Sequence, residues 1–203
     1  MPAIVDHDKR RREVAATVAA IISTRGLEAV TVRSVAKASG YSTTIVSHYF
    51  HNKRELFLFS YRMASQRTYA RLMAASAKSA DGDIAKTLEV ALPFNAEARS
   101  DWLVWFAFWG LALADPEFSR EQQFQFRKTR HILRRLLVAS PAHRRLNPSQ
   151  LSDVARRIAA AMIGVAVEAS FDPKDWPPAR QRSYISEAVA IPKTNGRSKN
   201  RGR

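Results

Sequence analysis

The sequence predicts an all-α protein in which an N-terminal three-helix helix-turn-helix domain precedes a C-terminal helical domain, with about nine helices in total. Apolar residues recur at helical spacing, and no stretch shows the alternation of a strand. Proline and glycine residues divide this periodicity into segments, and several segments open on a capping residue. The predicted domains are residues 1–51 and 52–191, followed by a basic tail at 192–203 that is predicted to be disordered.

The first three helices are predicted from their caps and their apolar spacing. A helix that begins near Lys9 carries apolar residues on one face and ends at Gly26, which suits the position after a helix. Thr31 can cap a second, short helix that Gly40 interrupts, and Ser42 can cap a third. Two short helices on either side of a glycine-containing turn form a helix-turn-helix.

The fourth predicted helix is long, and the remaining ones are separated by breaks. Asn52 with Glu55 three positions later resembles a capping box, and the helix that it opens extends to about Ala80. Residues 81–83 form the first clear break, and Pro93 is the second. The helices predicted beyond Pro93 are 97–114, 117–140, 148–171 and 179–191.

The charge of the chain indicates a polyanionic partner. Its 203 residues include 33 Lys and Arg against 18 Asp and Glu, a net charge of +15. Nucleic acid is the commonest partner for such an excess. Basic residues also concentrate at 120–145 and 192–203, so the charge alone does not locate the binding site.

Other features of the sequence narrow the class of protein. There is no cysteine, no apolar run approaches the roughly 18 residues of a membrane span, and the N-terminus lacks a secretion-signal pattern, so a cytoplasmic protein is expected. The histidines show no metal-ligand spacing, and neither a phosphate-binding glycine loop nor a nucleophile elbow occurs. The sequence therefore predicts neither enzymatic activity nor a metal or cofactor.

The third helix carries residue types that suit a DNA-recognition helix. Small hydroxyl side chains allow a helix to lie close in the major groove and to bond to bases or phosphates. A surface helix that happens to be rich in serine and threonine is the alternative. The polar candidates that lie off the apolar side are Ser42, Thr43, Thr44, Ser47 and His48.

Residues 31–56, including the run STTIVSHYFHNKREL, resemble the DNA-binding segment of the TetR family of bacterial repressors. The Ser-His-Tyr-Phe ending of that segment and the tryptophan-rich run at 102–109 are more similar to the BetI branch, the choline-responsive repressors of betaine synthesis genes. The resemblance implies groove contacts from the five polar candidates. It also implies phosphate contacts from Tyr49 and Lys53, and a lysine beside a helix N-terminus independently favours a phosphate.

The flanks of the helix-turn-helix add further candidates. Thr31 and Arg33, at the start of the second helix, complete the predicted set of DNA contacts. The basic run at 9–12 is open to two interpretations: an arm near the phosphates or in a minor groove, or an exposed helix start.

One helix of the C-terminal domain carries candidates for effector binding. Trp102, Trp105, Phe106 and Trp109 share one helical face, which predicts either a core stripe or the aromatic wall of a ligand pocket. Ring faces can hold a cation, and Glu168 is a candidate counter-charge unless it is a surface or interface residue. A quaternary ammonium such as choline is the leading effector expectation, while other amphipathic or cationic molecules stay open.

The last two predicted helices have the pattern of a homodimer interface. Val154, Ile158, Met162 and Val165 form an apolar stripe, and neighbouring alanines permit close approach. Packing within one subunit is the alternative. A DNA-binding protein with one short recognition helix per subunit generally needs two copies to bind with sufficient affinity, which favours a homodimer on a palindromic operator.

The predicted function is that of a sequence-specific DNA-binding transcriptional regulator, a repressor that leaves its operator when a small molecule binds the C-terminal domain. The rival is a sequence-tolerant architectural DNA-binding protein, for which the net charge of +15 is the best argument. The aromatic helix argues against this rival, because an architectural protein needs no large apolar sensor domain.

Overall fold

The computed structural model describes residues 7–79 and 81–191, so Ala80 and the basic tail lie outside the described residues. Within these ranges the regular structure is helical throughout, which confirms the predicted fold class. The α-helices are His7–Arg25 (α1), Val32–Ser39 (α2), Thr43–Tyr49 (α3), Lys53–Lys78 (α4), Ile84–Leu88 (α5), Ala96–Ala114 (α6), Pro116–Ala139 (α7), Pro148–Phe171 (α8) and Pro178–Val189 (α9). Two short 3₁₀ turns, Leu27–Ala29 and Glu89–Ala91, complete the described structure.

The caps of α2 and α3 define the helix-turn-helix. The Thr31 side chain accepts a hydrogen bond from the Ser34 backbone N–H at 3.0 Å, and Ser34 returns the bond in a complete capping box. Ser42 caps α3 by accepting from the Ile45 N–H at 3.2 Å. Gly40 ends α2 with a φ of 72°, a left-handed conformation that glycine adopts without a Cβ penalty.

The start of α4 departs from the predicted capping box in one respect. Asn52 accepts from the Glu55 N–H at 2.8 Å as expected. The Glu55 carboxylate, however, accepts from the backbone N–H of His51 at 3.1 Å instead of returning to Asn52. It also lies 3.5 Å from Arg11 of α1, so this carboxylate ties the start of α4 to the first helix.

Two apolar cores are linked by α4. The first joins α1, α2, α3 and the N-terminal part of α4 around residues such as Val14, Val46 and Leu56, and Val104 of α6 packs against them. The second joins the C-terminal part of α4 to α5, α7, α8 and α9. With 26 residues, α4 is about 40 Å long, so one continuous helix takes part in both cores.

The prediction that the apolar stripe of α8 forms a homodimer interface is wrong. Val154, Ile158, Met162 and Val165 are all buried within one chain, where they pack with residues of α5, α7 and α9. Ile158 is 0% exposed, so it is not available to a second subunit. The helical period identified the buried face correctly, but the elements that cover this face belong to the same chain.

Polar contacts fix α4 against the neighbouring helices. The buried carboxylate of Asp101 in α6 pairs with Arg67 and with Arg71 Nη2, the latter at 2.8 Å. Arg54, near the start of α4, holds Asp115 at the start of α7 through both of its terminal nitrogens. These hydrogen bonds lower the pKa of Asp115 to about 2, so the ion pair persists at neutral pH.

Candidate nucleic-acid interface and ligand cavity

The polar candidates of α3 lie on one exposed surface. Val46 points away from this surface and is 0% exposed in the first core, which anchors the helix. The hydroxyl groups and the imidazole are therefore available to a partner, and we call this set the α3 face. Its members are Ser42, Thr43, Thr44, Ser47 and His48, all of them exposed.

The predicted flanking contacts are distributed around the α3 face. Thr31 and Arg33 are exposed at the start of α2, and Lys53 is exposed at the start of α4. The Lys53 ammonium lies over the Phe57 ring, 5.3 Å from its centroid, while the residue as a whole is exposed.

Tyr49 differs from the other predicted contacts because its side chain is buried, with 8% exposure. Its hydroxyl lies 3.0 Å from Nδ1 of His7, and the His48 ring packs edge-on at 5.4 Å. A phosphate contact from Tyr49 stays a prediction, and it requires the hydroxyl to share its hydrogen bonding between His7 and the phosphate.

Arg11, within the basic run at 9–12, has a clear structural role. The Arg11 guanidinium lies over the rings of Phe50 and Phe59, at 5.3 and 4.7 Å, in addition to its contact with Glu55. Its Nε atom is buried. Arg11 therefore packs against the protein, whereas Arg10 lies at the surface 5.9 Å from the Tyr41 ring.

A cavity of about 760 Å³, including the space at its opening, lies among α4, α6, α7 and α8. Its surface is almost entirely apolar, as is usual for the sites of small organic molecules. The indoles of Trp102, Trp105 and Trp109 line it, as the aromatic stripe predicts. Trp102 Nε1 donates to the Ala91 carbonyl at 2.8 Å, which fixes its ring at the cavity wall.

The other two effector candidates do not line the cavity. Phe106 lies beside the indoles of Trp102 and Trp109, with ring centroids 5.7 and 5.6 Å apart, and so supports the wall from outside. Glu168 is exposed on α8, whereas Met162 of the same helix lines the cavity. The structure does not bring the predicted counter-charge to the site, because Glu168 lies on a different face of α8.

Sequence reasoning missed the polar lining of the cavity. Tyr61 donates to the amide oxygen of Gln122, and the Tyr69 hydroxyl lies 2.9 Å from Oγ1 of Thr129. Burial raises the pKa of both tyrosines, so both hydroxyls stay protonated at neutral pH. A signal existed in the polar and aromatic residues that recur at helical spacing on α4 and α7: Tyr61, Ser65, Thr68 and Tyr69, and Gln122, Gln125 and Thr129.

The cavity and the α3 face are connected through α4. This helix starts at Lys53 beside the α3 face, and its residues from Tyr61 to Leu72 line the cavity. Arg54 joins the start of α4 to Asp115 and Glu117 at the junction of α6 and α7. The same helix therefore follows the helix-turn-helix directly and contributes to the cavity wall.

Neither a metal site nor a membrane-spanning helix is found in the part of the chain that the structure describes. No group of three or more His, Asp or Glu side chains there could hold a metal ion. No helix in the described ranges is long and apolar enough to cross a bilayer.

An exposed polar helix in a helix-turn-helix, joined by one helix to an apolar cavity, defines a ligand-binding transcriptional regulator. The family model for bacterial regulatory proteins of the tetR family matches residues 15–58. The model for the BetI-type transcriptional repressor C-terminal domain matches residues 80–191. The chain therefore belongs to the TetR family and has a BetI-type C-terminal domain, which confirms the resemblance.

The chain is also similar to named regulators over most of its length. It is 28% identical over 195 residues to the regulator BetI of Escherichia coli O17:K52:H18, covering 92% of this chain and 97% of that one. It is 27% identical over 177 residues to PksA of Bacillus subtilis, covering 85% and 84%. These relatives are transcriptional regulators, so the chain is a DNA-binding regulator and not an enzyme, and the architectural alternative is not favoured.

Solved structures share the fold. A transcriptional regulator from Rhodococcus sp. Rha1 superimposes with a TM-score of 0.76 at 23% identity, covering 88% of this chain and 93% of that chain. A regulator from Saccharomonospora viridis, solved in complex with choline, has a TM-score of 0.77 at 17% identity, covering 90% and 96%. The nine-helix arrangement of the described residues is therefore that of known regulators.

Proposed function

We propose that two copies of this chain bind a palindromic operator through their α3 faces and leave it when a small molecule occupies the cavity. The observation that carries this proposal is the course of α4, which begins beside the DNA-reading face and then lines the cavity. In this proposal, residues 1–51 form the DNA-binding domain, and residues 52–191 form the domain that binds the effector and dimerises. A cytoplasmic location follows from a chromosomal target.

The DNA contacts divide into two groups. The α3 face enters the major groove and reads base edges, while Thr31, Arg33, Tyr49 and Lys53 contact phosphates and set the register. In a dimer the two α3 helices lie about 34 Å apart, or a multiple of that distance, to reach successive major grooves.

Release requires the effector to distinguish two conformations. A ligand with equal affinity for the DNA-bound and the released dimer shifts nothing, so it must favour the dimer whose α3 helices no longer match the grooves. Occupancy of the cavity presses on α4 through Tyr61 and Tyr69 and on α7 through Phe126 and Thr129. The pairs that transmit the change are Arg54 with Asp115, and Ser23 with Ser100, whose hydroxyls are 3.0 Å apart.

The dimer forms through the exposed side of α8 and α9 in this proposal. Ala160 and Gly164 are exposed one turn apart, and a Cβ atom added at Gly164 would meet nothing within 4 Å in the same chain. Phe171 is 83% exposed at the end of the same helix, and Tyr184 of α9 is 49% exposed. Small residues flanked by exposed rings suit close packing against a symmetry-related copy.

A quaternary ammonium effector has two arguments for it and one against it. Three indoles supply ring faces for a cation, and the Saccharomonospora viridis relative was solved with choline. The described residues that line the cavity include no carboxylate, however, and Glu168 lies elsewhere. Choline is therefore a reference compound and not the assigned effector.

Thr43→Ala or Ser47→Ala should weaken binding to the operator by about two- to tenfold and binding to random DNA less, because each removes one hydroxyl that bonds to a base edge. Lys53→Ala should weaken operator and random DNA alike and lower the salt dependence, because it removes a phosphate contact. The measurement is competition binding at fixed salt on a duplex selected from a random library and on a shuffled duplex. Equal losses on both duplexes for all three variants would instead favour the architectural protein.

A further inference from the structure

The described lining of the cavity carries a positive charge and no negative one. Of the described residues that line it, Arg130 of α7 alone carries a charge at neutral pH. Two carboxylates lie behind polar lining residues, but both are already engaged. Asp101 behind Thr68 is held by Arg67 and Arg71, and Glu121 behind Gln125 pairs with Arg62.

Arg130 also belongs to a second depression, which we call the basic cleft. This cleft lies between α7 and α8, and the Arg130 side chain borders both the cleft and the apolar cavity. It has no acidic side chain in its described lining. The residues of the basic cleft are Arg127, Arg130, His131, Arg134, Ser152 and Arg156.

The guanidinium groups of the basic cleft are mostly without counter-charges. Arg156 pairs with Asp153 at 3.0 Å on its own helix. Arg127, Arg130 and Arg134 form no hydrogen bond or ion pair with any described residue. These three follow one another at three- and four-residue spacing on α7, where like charges repel and destabilise a helix. A bound anion would reduce this repulsion. Its interaction with the half-buried Arg130 would be the strongest, because that guanidinium is the least hydrated of the three.

Two indoles of the cavity wall carry N–H groups without acceptors in the described part of the chain. Trp105 Nε1 is buried and has no acceptor within the described part of the chain. Trp109 Nε1 is buried beside the Tyr61 hydroxyl and makes no hydrogen bond of normal geometry with it. Buried N–H groups without partners cost stability. Neither nitrogen is exposed to the cavity, so Arg130 is the group of the lining that distinguishes ligands by their charge.

We propose that the effector is an amphipathic organic anion. Its apolar chain or ring lies among the indoles and Met162, and its acidic group binds Arg130, which borders both the cavity and the basic cleft. The inference rests on the proposed ligand-released repressor and names the chemical class that this repressor detects. A carboxylate satisfies Arg130 by a bidentate pair, and a phosphate reaches Arg134 or Arg127 as well.

A matched series of decyl compounds tests the class of ligand: decanoate, decyl phosphate, decanol and decyltrimethylammonium, with choline as reference. Binding is followed by tryptophan fluorescence, since three of the four tryptophans line the cavity, and by release of a fluorescent operator duplex. Decanoate or decyl phosphate should bind at least about tenfold more tightly than the trimethylammonium compound, because an anionic head group pairs with Arg130 whereas the ammonium is repelled by it. Tighter binding of decyl phosphate identifies a phosphorylated head group as the source, and tighter binding of decanoate a free acid.

Arg130→Gln should weaken both anions by about tenfold to hundredfold and leave decanol binding within about twofold. Arg135→Gln is the matched control, because Arg135 is an exposed arginine of the same helix that lies outside both depressions. Arg130 has no partner in the described structure, so its replacement should not disturb the fold, and circular dichroism verifies this point.

Two results would overturn the anion assignment. One is tighter binding of decyltrimethylammonium or choline than of either anion. The other is an equal loss of anion binding in Arg130→Gln and Arg135→Gln. In either case a cation or a neutral compound that still releases the operator leaves the repressor function intact. Saturation of the cavity without any release of DNA would count against the proposed function itself.

Discussion

Gly164→Arg should produce a folded monomer whose affinity for the operator is lower by at least about hundredfold, because the second half-site no longer benefits from linkage. Gly164 lies on the exposed side of α8 with open space around it, so the arginine fits its own chain. In the proposed dimer it meets its symmetry-related copy, and two like charges would be buried together. Sedimentation gives the association state, and titration of the operator duplex at fixed protein concentration gives the affinity.

Gly110→Arg is the matched control for this variant. Gly110 is an exposed glycine within α6, and a Cβ atom added there also meets nothing within 4 Å. Both substitutions replace helical glycine by a better helix former and add the same charge. We expect Gly110→Arg to remain dimeric. A Gly164→Arg protein that stays dimeric, or a monomer that binds the operator as tightly as the native chain, would place the interface elsewhere.

Ile158→Glu should leave little folded protein. Ile158 is 0% exposed in the second core, so the variant loses the burial of an isoleucine and places an unpaired carboxylate among apolar side chains. Such a change costs about 3–5 kcal/mol or more, against a total stability of about 5–15 kcal/mol for a typical domain. Circular dichroism and denaturant unfolding measure the loss.

Ile158→Val provides the conservative comparison. It should remain a folded dimer that is destabilised by about 0.5–1.5 kcal/mol, because it removes one buried methylene group without adding a charge. A folded, monomeric Ile158→Glu protein would be the opposite result, since it would mean that this position faces a second subunit. The contrast with Gly164→Arg separates a core residue from an interface residue on the same helix.

The helix-turn-helix was predictable because its signals are local. Thr31 and Ser42 cap the helices that the sequence assigns to them, and Gly40 adopts the left-handed conformation that ends α2. Such caps depend on residues three positions apart, so a single sequence contains the whole interaction. The exposure of Thr43 and Ser47 follows from the burial of Val46 on the same short helix.

The C-terminal half was predicted less well because its decisive contacts are distant in sequence. The apolar period of α8 marks Ile158 as buried, but it does not tell whether α5, α7 and α9 or a second subunit cover it. The sequence likewise does not show which face of α8 meets the cavity, so it does not distinguish a counter-charge at Glu168 from a surface residue. Arg130 stands among many basic residues of α7, and only the packing of α7 against α4 and α8 distinguishes it.

The most direct test of the account is the mutual effect of cavity occupancy and operator binding. The probe is whichever of decanoate or decyltrimethylammonium changes the fluorescence of the indoles, titrated with the native dimer in the absence and presence of the selected operator. We expect the probe to weaken operator binding, and the operator to weaken probe binding by the same factor, because the coupling free energy is reciprocal. A probe that saturates the cavity while the operator dissociation constant stays unchanged would contradict the proposed link between the cavity and the α3 face.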